Sequence, residues 1–321
     1  MESQDIRNAI SGILVVDKPI GLTSHDVVQI IRTGTGIRRA GHTGTLDPRA
    51  SGVLVVLIGP AVRLSEYVSA TDKRYQAIIR LGSSTDTYDA EGRFTQQTTE
   101  PLNITEEQFE TTLKGFIGEI EQTPPAYSAI KVKGRHAYDM ARKGEDVELE
   151  PRKIQVFHLE ILEWAPPEVV IDAHCSSGTY VRSLANDVGN ALGCGAYLVG
   201  LRRTKSGRFS LRDATPLRKL QEAFTAGNWY QYLIPAAEAL GDWEALELNP
   251  DQVDDVRHGH RIPAAVGTKP GMVRGVSMAG ELVALLELVP AESAPDGEIS
   301  STVEPATEPV MEWQPKKVFY S

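Results

Sequence analysis

Apolar positions along the chain follow the two periods that regular structure imposes, two for strands and about 3.6 for helices. Ile13-Leu14-Val15-Val16 runs into Asp17-Lys18-Pro19 with Gly21 beyond, which predicts a strand ending in a turn. Thr23 or Ser24 can then cap a helix whose stripe is Val27, Val28, Ile30 and Ile31, stopping near Gly34. Val53 to Ile58 reads as a short apolar strand, and Lys73 to Gly82 as a longer one with Tyr75, Ala77, Ile79 and Leu81 on one face. A polar loop through Asp86 and Asp89 follows. Thr105 caps a helix with an acidic first turn and a stripe of Phe109, Leu113, Phe116 and Ile117 up to Gly118. Strands resume at Ile154 to Leu162 and Val169 to His174. The helix Tyr180 to Leu192 turns Val181, Leu184, Ala185, Val188 and Leu192 inward, and a strand Ala196 to Arg202 comes next.

Two segments break this periodicity. Gly41 to Gly52 puts three glycines and a proline into a dozen residues between ordered elements, so it is a loop held at both ends. Residues 124 to 151 are basic, glycine-punctuated and poorly periodic, an excursion from the core. A boundary near residues 235 to 247 leads to a small β-rich module with strands such as Gly280 to Leu288, and residues 289 to 309 predict a mobile acidic loop. The expected core fold is α/β, a mixed sheet flanked by helices.

A chain of 321 residues, 41% hydrophobic and 24% charged, can bury a core of two modest domains. No apolar run approaches the roughly 20 residues a bilayer demands, and Met1 to Ile10 is polar, which argues against secretion and a membrane partner. Cys175 and Cys194, the only two cysteines, are too few for a disulfide framework or a zinc site and fit a reducing cytoplasm. The net charge of −10 speaks against nucleic acid until its distribution is read. Residues 238 to 321 hold 6 Lys/Arg against 15 Asp/Glu, so the acidity belongs to the C-terminal quarter. Upstream, Arg202, Arg203, Lys205, Arg208, Arg212, Arg218 and Lys219 face Asp213 alone within residues 200 to 219. Lys131, Lys133, Arg135, Arg142 and Lys143 face only Asp139 within residues 128 to 143, with Tyr127 and Tyr138 beside or among them. Cations with interleaved aromatics suit a phosphate backbone and unstacked bases; the alternative is a solvated charged face.

The common catalytic motifs are missing: no Walker loop, no Rossmann fingerprint, no HExxH and no GxSxG. Ser24-His25-Asp26 has triad composition, but neighbours at a helix start point apart, and the triplet reads as a cap. His258 and His260 have a ligand-like spacing without a third ligand, so no metal is expected. The Gly41 to Gly52 loop is the best candidate. Asp47 precedes Pro48, which disfavours the helical region and aims the carboxylate through the backbone, and His42 and Arg49 flank it. Arg182 falls in the first turn of its helix if Thr179 is the cap, where the helix dipole disfavours a cation. An anion nearby offsets that cost: Asp47 in a bidentate pair, or alternatively Asp187 or solvent.

These residues resemble a known family. Gly41-His42-Thr43-Gly44-Thr45-Leu46-Asp47-Pro48, with Ala50, Gly52 and Leu54, is similar to the central motif of the TruB family of tRNA pseudouridine synthases. Val16 to Gly21, Asp72 to Tyr75, Gly178 to Arg182 and Tyr197 to Arg203 agree in order, and Pro125 to Lys131 resembles the start of the family's RNA-gripping thumb. The likeness is close over about residues 11 to 215 and weakens beyond 240, where the family carries a PUA-like RNA-binding module and this chain an unusual acidic stretch.

The resemblance implies a catalytic domain over residues 1–240 with a thumb insertion at 124–151, then a PUA-like module over 241–321. It implies isomerisation of uridine 55 in the T loop of tRNA, without cofactor or metal, by a cytoplasmic monomer that needs no protein partner. Asp47 would be the nucleophile, attacking ribose C1′ or uracil C6. Tyr75 would stack on the extruded uracil and assist proton removal at C5, although its strand face is also that of a core residue. Arg182 would pair with Asp47. His42 would pack where the base has departed, Tyr180 and Leu201 would line the nucleotide pocket, and Lys18 would support its floor. Lys131, Lys133, Arg142, Arg202, Arg203 and Lys205 would hold RNA phosphates. The competing readings are a binding protein that folds tRNA without chemistry and the catalytic subunit of an RNA-guided particle.

Overall fold

The apolar runs become the middle of an eleven-stranded, mainly antiparallel sheet. The computed structural model describes residues 10–98, 102–128, 130–132, 134–145, 147–291 and 310–319. In chain order the main elements of the first part are β1 (Gly12–Lys18), α1 (Ser24–Thr35), β2 (Ala40–His42), β3 (Ala50–Ile58), β4 (Lys73–Leu81), α2 (Glu106–Lys114), β5 (Gly118–Gln122), β6 (Arg152–Ala165), β7 (Glu168–Cys175), α3 (Val181–Ala191), β8 (Ala196–Ser206) and α4 (Leu217–Ala226). Across the sheet the order is a short strand Thr215–Pro216, then β1, β3, β8, β4, β7, β6 and β5, with β2 also paired to β3. β3 and β8 run parallel, as do β1 and Thr215–Pro216; the other pairs along this order are antiparallel.

β3 is buried on both faces from Val53 to Ile58, which explains why its sequence is continuously apolar instead of alternating. β4 alternates as expected, with Tyr75, Ala77, Ile79 and Leu81 inward. The stripes of α1, α2, α3 and α4 cover one face of the sheet and form the larger core.

Several features differ from expectation. α2 ends at Lys114, so Phe116 and Ile117 belong to the connector into β5 and Ile117 is exposed. α3 is capped by Tyr180, not Thr179. Gln122 satisfies that residue's backbone, accepting from its N–H (2.8 Å) and donating to its carbonyl (3.1 Å). The excursion has its own structure, a hairpin of Lys131–Val132 with Arg135–His136 and a helix Ala137–Arg142, in pieces too short for periodicity to register.

The C-terminal part is a second sheet of five strands, with β9 (Ala245–Leu248), α5 (Pro250–Arg257), β10 (Ile262–Pro263), β11 (Met272–Ser277), β12 (Leu282–Pro290) and β13 (Met311–Val318). Its strand order is β9-β11-β12-β13-β10. β12 continues through Val289 and Pro290, which pair with Glu312 and Met311, so the expected acidic loop begins later than position 289; residues 292–309 lie outside the described residues. Leu282, Leu285 and Phe319 pack with Ile13, Val15, Val53, Val55 and Leu57 in a core on the opposite face of β1 and β3. Arg274 ties the parts together by donating to the carbonyls of Ala237 (2.9 Å), Trp243 (3.1 Å) and Gly241 (3.3 Å). Among the described residues no helix is long and apolar enough to cross a membrane.

Candidate active site

The loop between β2 and β3 is fixed from several sides before any side-chain chemistry is considered. The Ala50 N–H donates to the Asp47 carbonyl (3.0 Å), Thr43 to Val55 (3.1 Å), and Gly21 to Pro48 (2.8 Å). Thr23 and Asp26 form the capping box of α1, which leaves Ser24 free to exchange two hydrogen bonds with the backbone of Leu46 (2.8 and 3.0 Å). At Gly52 (φ +100°) a Cβ would lie 2.2 Å from the carbonyl oxygen of Arg203, so the close approach of β3 to β8 demands glycine.

Beneath the loop lie three buried cations. Arg203, only 2% exposed, donates to the carbonyls of Val53 (2.7 Å), Gly44 (3.0 Å) and Thr45 (3.4 Å). Its guanidinium braces the loop from inside and is closed to RNA phosphates, which corrects the expectation for this residue. Lys18 is fully buried and donates to the carbonyls of Leu22 (2.6 Å) and Pro19 (2.9 Å). Burial lowers its pKa to about 8, with the Asp47 carboxylate offsetting part of the effect. Lys73 donates to Ser69 (3.2 Å) and Thr71 carbonyls, and burial beside Arg203 likewise lowers it to about 8.

Above the floor, the Asp47 side chain is about half exposed, and one oxygen stands 3.5 Å from Nη2 of Arg182, whose side chain is 90% buried. The pair is not bidentate. The same Nη2 donates to the Tyr127 carbonyl (2.9 Å), and Nη1 faces Asp89 at 3.3 Å. Asp89 is itself held, accepting from Thr87 Oγ1 (2.7 Å) and the Glu91 N–H (3.0 Å). The anions paired with Arg182 among the described residues are therefore Asp47 and Asp89, not Asp187. Two carboxylates offset the burial of one guanidinium, and the Arg182–Asp47 contact sets a carboxylate oxygen at the open mouth of the site. Arg49 pairs with Glu91 (3.5 Å) at the surface.

The remaining site residues surround this pair. Tyr75 is 8% exposed, directly opposite Arg203 across the β4–β8 pairing, and burial pushes its phenol upward so that it holds its proton through the neutral range. His42 is half-buried at the end of β2; burial first, then Arg203 and His25, lower its pKa and favour the neutral ring. Tyr180 lies with its ring centroid 5.9 Å from the Arg182 guanidinium carbon, and Leu201 pairs with Ala50 at the exit of the loop.

The basic residues are more dispersed. Arg202 pairs with Asp17 (2.9 Å) and stays partly exposed, Lys205 is exposed, and Arg142 lies over the Tyr138 ring at 5.7 Å. Lys131 belongs to the hairpin of the excursion, and Lys133 lies outside the described residues. Ser183 donates to the Thr123 carbonyl (3.1 Å), so with Arg182 the first turn of α3 grips the root of the excursion twice. Among the described residues no group of three or more His, Cys, Asp or Glu side chains is placed to hold a metal, and His258 and His260 face Asp254 and Asp255 instead.

A sequence profile of the TruB family pseudouridylate synthase N-terminal domain matches residues 32–181, and one of the tRNA pseudouridylate synthase B C-terminal domain matches residues 182–240. The tRNA pseudouridine synthase B of Thiobacillus denitrificans is 41% identical over 281 residues, 88% of this chain and 93% of its own length. Its namesakes in Solibacter usitatus (40%, 87% and 96%) and Pseudomonas aeruginosa (38%, 88% and 93%) are similarly close. Among solved structures, a chain of a Cbf5-Nop10-Gar1 complex superposes with a TM-score of 0.72 at 26% identity, covering 98% of this chain and 87% of that one. A chain of an H/ACA RNP bound to a substrate RNA containing 2′-deoxyuridine gives 0.71 at 25%, covering 99% and 87%. With relatives this similar over nearly their whole length, and with the aspartate loop, the buried arginine and the mixed sheet in hand, the chain belongs to the TruB family of pseudouridylate synthases.

Proposed function

We propose that this protein isomerises uridine 55 of the tRNA T loop to pseudouridine, with Asp47 as the nucleophile. The observation that carries the reading is a solvent-accessible carboxylate on a braced loop, paired with a buried arginine. The substrate follows from relatives about 40% identical that are named tRNA pseudouridine synthase B. The reaction breaks the bond from C1′ to N1, joins C1′ to C5, and replaces the C5 hydrogen by a proton on N1, so it needs no redox partner. Asp47 attacks C1′ or C6, and an ionised oxygen is required for either. Tyr75 stacks on the extruded uracil and assists removal of the C5 proton, which leaves to solvent as N1 takes up a proton. His42, neutral, fills the place that the base leaves. Tyr180 and Leu201 line the nucleotide pocket, and Lys18 holds the turn below it.

Extruding the uridine costs a few kcal/mol, which contacts elsewhere on the tRNA must offset. Lys131, Lys133 and Arg142 on the excursion, acting as a thumb, and Arg202 and Lys205 on β8 supply phosphate contacts that follow the shape of the folded RNA. In this reading residues 1–240 form the catalytic domain and 241–321 a PUA-like module, and the enzyme works in the cytoplasm as a monomer without protein partners. Tritium release from tRNA labelled at uracil C5 tests the chemistry, because C5 gives up its hydrogen once it is bonded to C1′. Wild type is expected to release tritium with no added metal, nucleotide or protein. Asp47→Asn should lose at least roughly a thousandfold in rate while still binding tRNA; full activity in that variant removes the nucleophile assignment.

A further inference from the structure

Resting on the proposed function, we infer that Ser183 is a positioning residue for the reaction: by holding the root of the excursion it fixes the plane of the Arg182 guanidinium that faces Asp47. Ser183 is buried, and its hydroxyl leaves its own helix to donate to the carbonyl of Thr123 at 3.1 Å. Its neighbour Arg182 divides one nitrogen between two acceptors, since Nη2 donates to the Tyr127 carbonyl at 2.9 Å and faces Asp47 at 3.5 Å. The two hydrogens on that nitrogen lie in the guanidinium plane at a fixed angle to each other. Where the Tyr127 carbonyl stands therefore decides where the second hydrogen points. Nη1, facing the held carboxylate of Asp89 at 3.3 Å, keeps the plane from turning.

The acceptors of Ser183 and Arg182 are joined by a stiff strut. Between Thr123 and Tyr127 stand Pro124, Pro125 and Ala126, and both prolines are buried. Their rings fix two consecutive φ angles, so a displacement at Thr123 is passed on to Tyr127 instead of being absorbed on the way. Upstream, Gln122 is clamped to the backbone of Tyr180 by bonds of 2.8 and 3.1 Å, and downstream the Ser128 carbonyl accepts from the Tyr138 N–H at 3.1 Å. The strut is thus fastened to the head of α3 at one end and to the excursion at the other. Ser183 is the fastening that one side-chain change removes without touching a group assigned to the substrate. Its loss leaves the arginine's charge in the site but frees the guanidinium to tilt, which acts on the reacting geometry more than on tRNA binding.

The test is single-turnover tritium release from tRNA labelled at uracil C5, over a range of excess enzyme, for wild type, Ser183→Ala, Arg182→Lys and the double variant. The limiting rate reads the reaction, and the half-saturating concentration reads binding. Ser183→Ala is expected to lower the limiting rate roughly tenfold and to move half-saturation less than about threefold. It should melt within about 4 °C of wild type, the shift expected for one lost hydrogen bond. Lysine carries its charge at a point, with no plane to aim, so in the Arg182→Lys background the same serine change should alter the limiting rate less than about twofold. A wild-type limiting rate in Ser183→Ala overturns the inference. So does an equal factor in both backgrounds, which would place Ser183 in folding or in a step that does not pass through Arg182. A loss confined to half-saturation overturns it as well, because the root would then serve only the grip on RNA. Each of these leaves the proposed function standing, whereas a wild type inactive on tRNA removes that function and this inference together.

Discussion

The floor and the wall of the site use the same kinds of side chain for opposite purposes. Below the loop, Arg203, Lys18 and Lys73 are buried and answered by backbone carbonyls, so their positive charge is directed into holding the chain in place. On the wall, Arg182 is almost as buried but is answered by two carboxylates, one of them open to solvent. A cation held by carbonyls fixes shape; a cation held by carboxylates fixes charge. The floor therefore governs where the loop carrying Asp47 stands, and the wall places a guanidinium beside its carboxylate.

That division can be broken on either side. Arg203→Met leaves three buried carbonyls without their donor and should lower stability by about 3 kcal/mol in urea unfolding, whereas Arg202→Gln, one residue away on a half-exposed ion pair, should cost less than about 0.5 kcal/mol. Equal losses would mean that the floor is not braced from inside. Asp89→Asn keeps an acceptor for Arg182 but removes a charge; kcat for tRNA is expected to fall roughly thirtyfold with stability nearly unchanged. An unaltered kcat would show that Asp47 alone suffices to balance the arginine. The smallest effect is in pH. Lys18 titrates near 8 when folded against about 10.5 when unfolded, so between those values the unfolded chain binds more protons and stability rises with pH. Lys18→Met should flatten that rise by on the order of 1–2 kcal/mol between pH 7.5 and 10, read from unfolding free energies. Lys73 shifts the same way and supplies the residual slope.

What could be read from the sequence was what local physics encodes. Asp47 stood out because proline and glycine control its backbone, and Arg182 because a cation in a first helical turn calls for an anion, an inference that survives the shift of the cap from Thr179 to Tyr180. Asp89 did not stand out. It looks like an ordinary turn residue, its partner is 93 positions away, and the bridge to Leu198 in β8 helps bring its loop to the wall. Arg203 was misjudged because counting charges in a window ignores the pleat. In β8 it faces inward between Gly52 and Tyr75, while Arg202 lies on the other face and Lys205, beyond a register shift in the pairing with β4, is exposed. Gly52 was the available signal, since a residue without a side chain on an otherwise bulky strand marks a close neighbour.

The second core, which Leu282, Leu285 and Phe319 share with the back of β1 and β3, bears on how this protein could be re-engineered. The strand that ends the reactive loop turns its reverse side into a core that also takes in residues of the C-terminal sheet, so that sheet is not a detachable bead on the catalytic part. Exchanging it for the corresponding sheet of another family member would change the backing of β3, and with it the footing of Asp47 some residues earlier. Such a chimera would need matched apolar positions on both sides of the seam, and these sit in stretches of sequence more than two hundred residues apart.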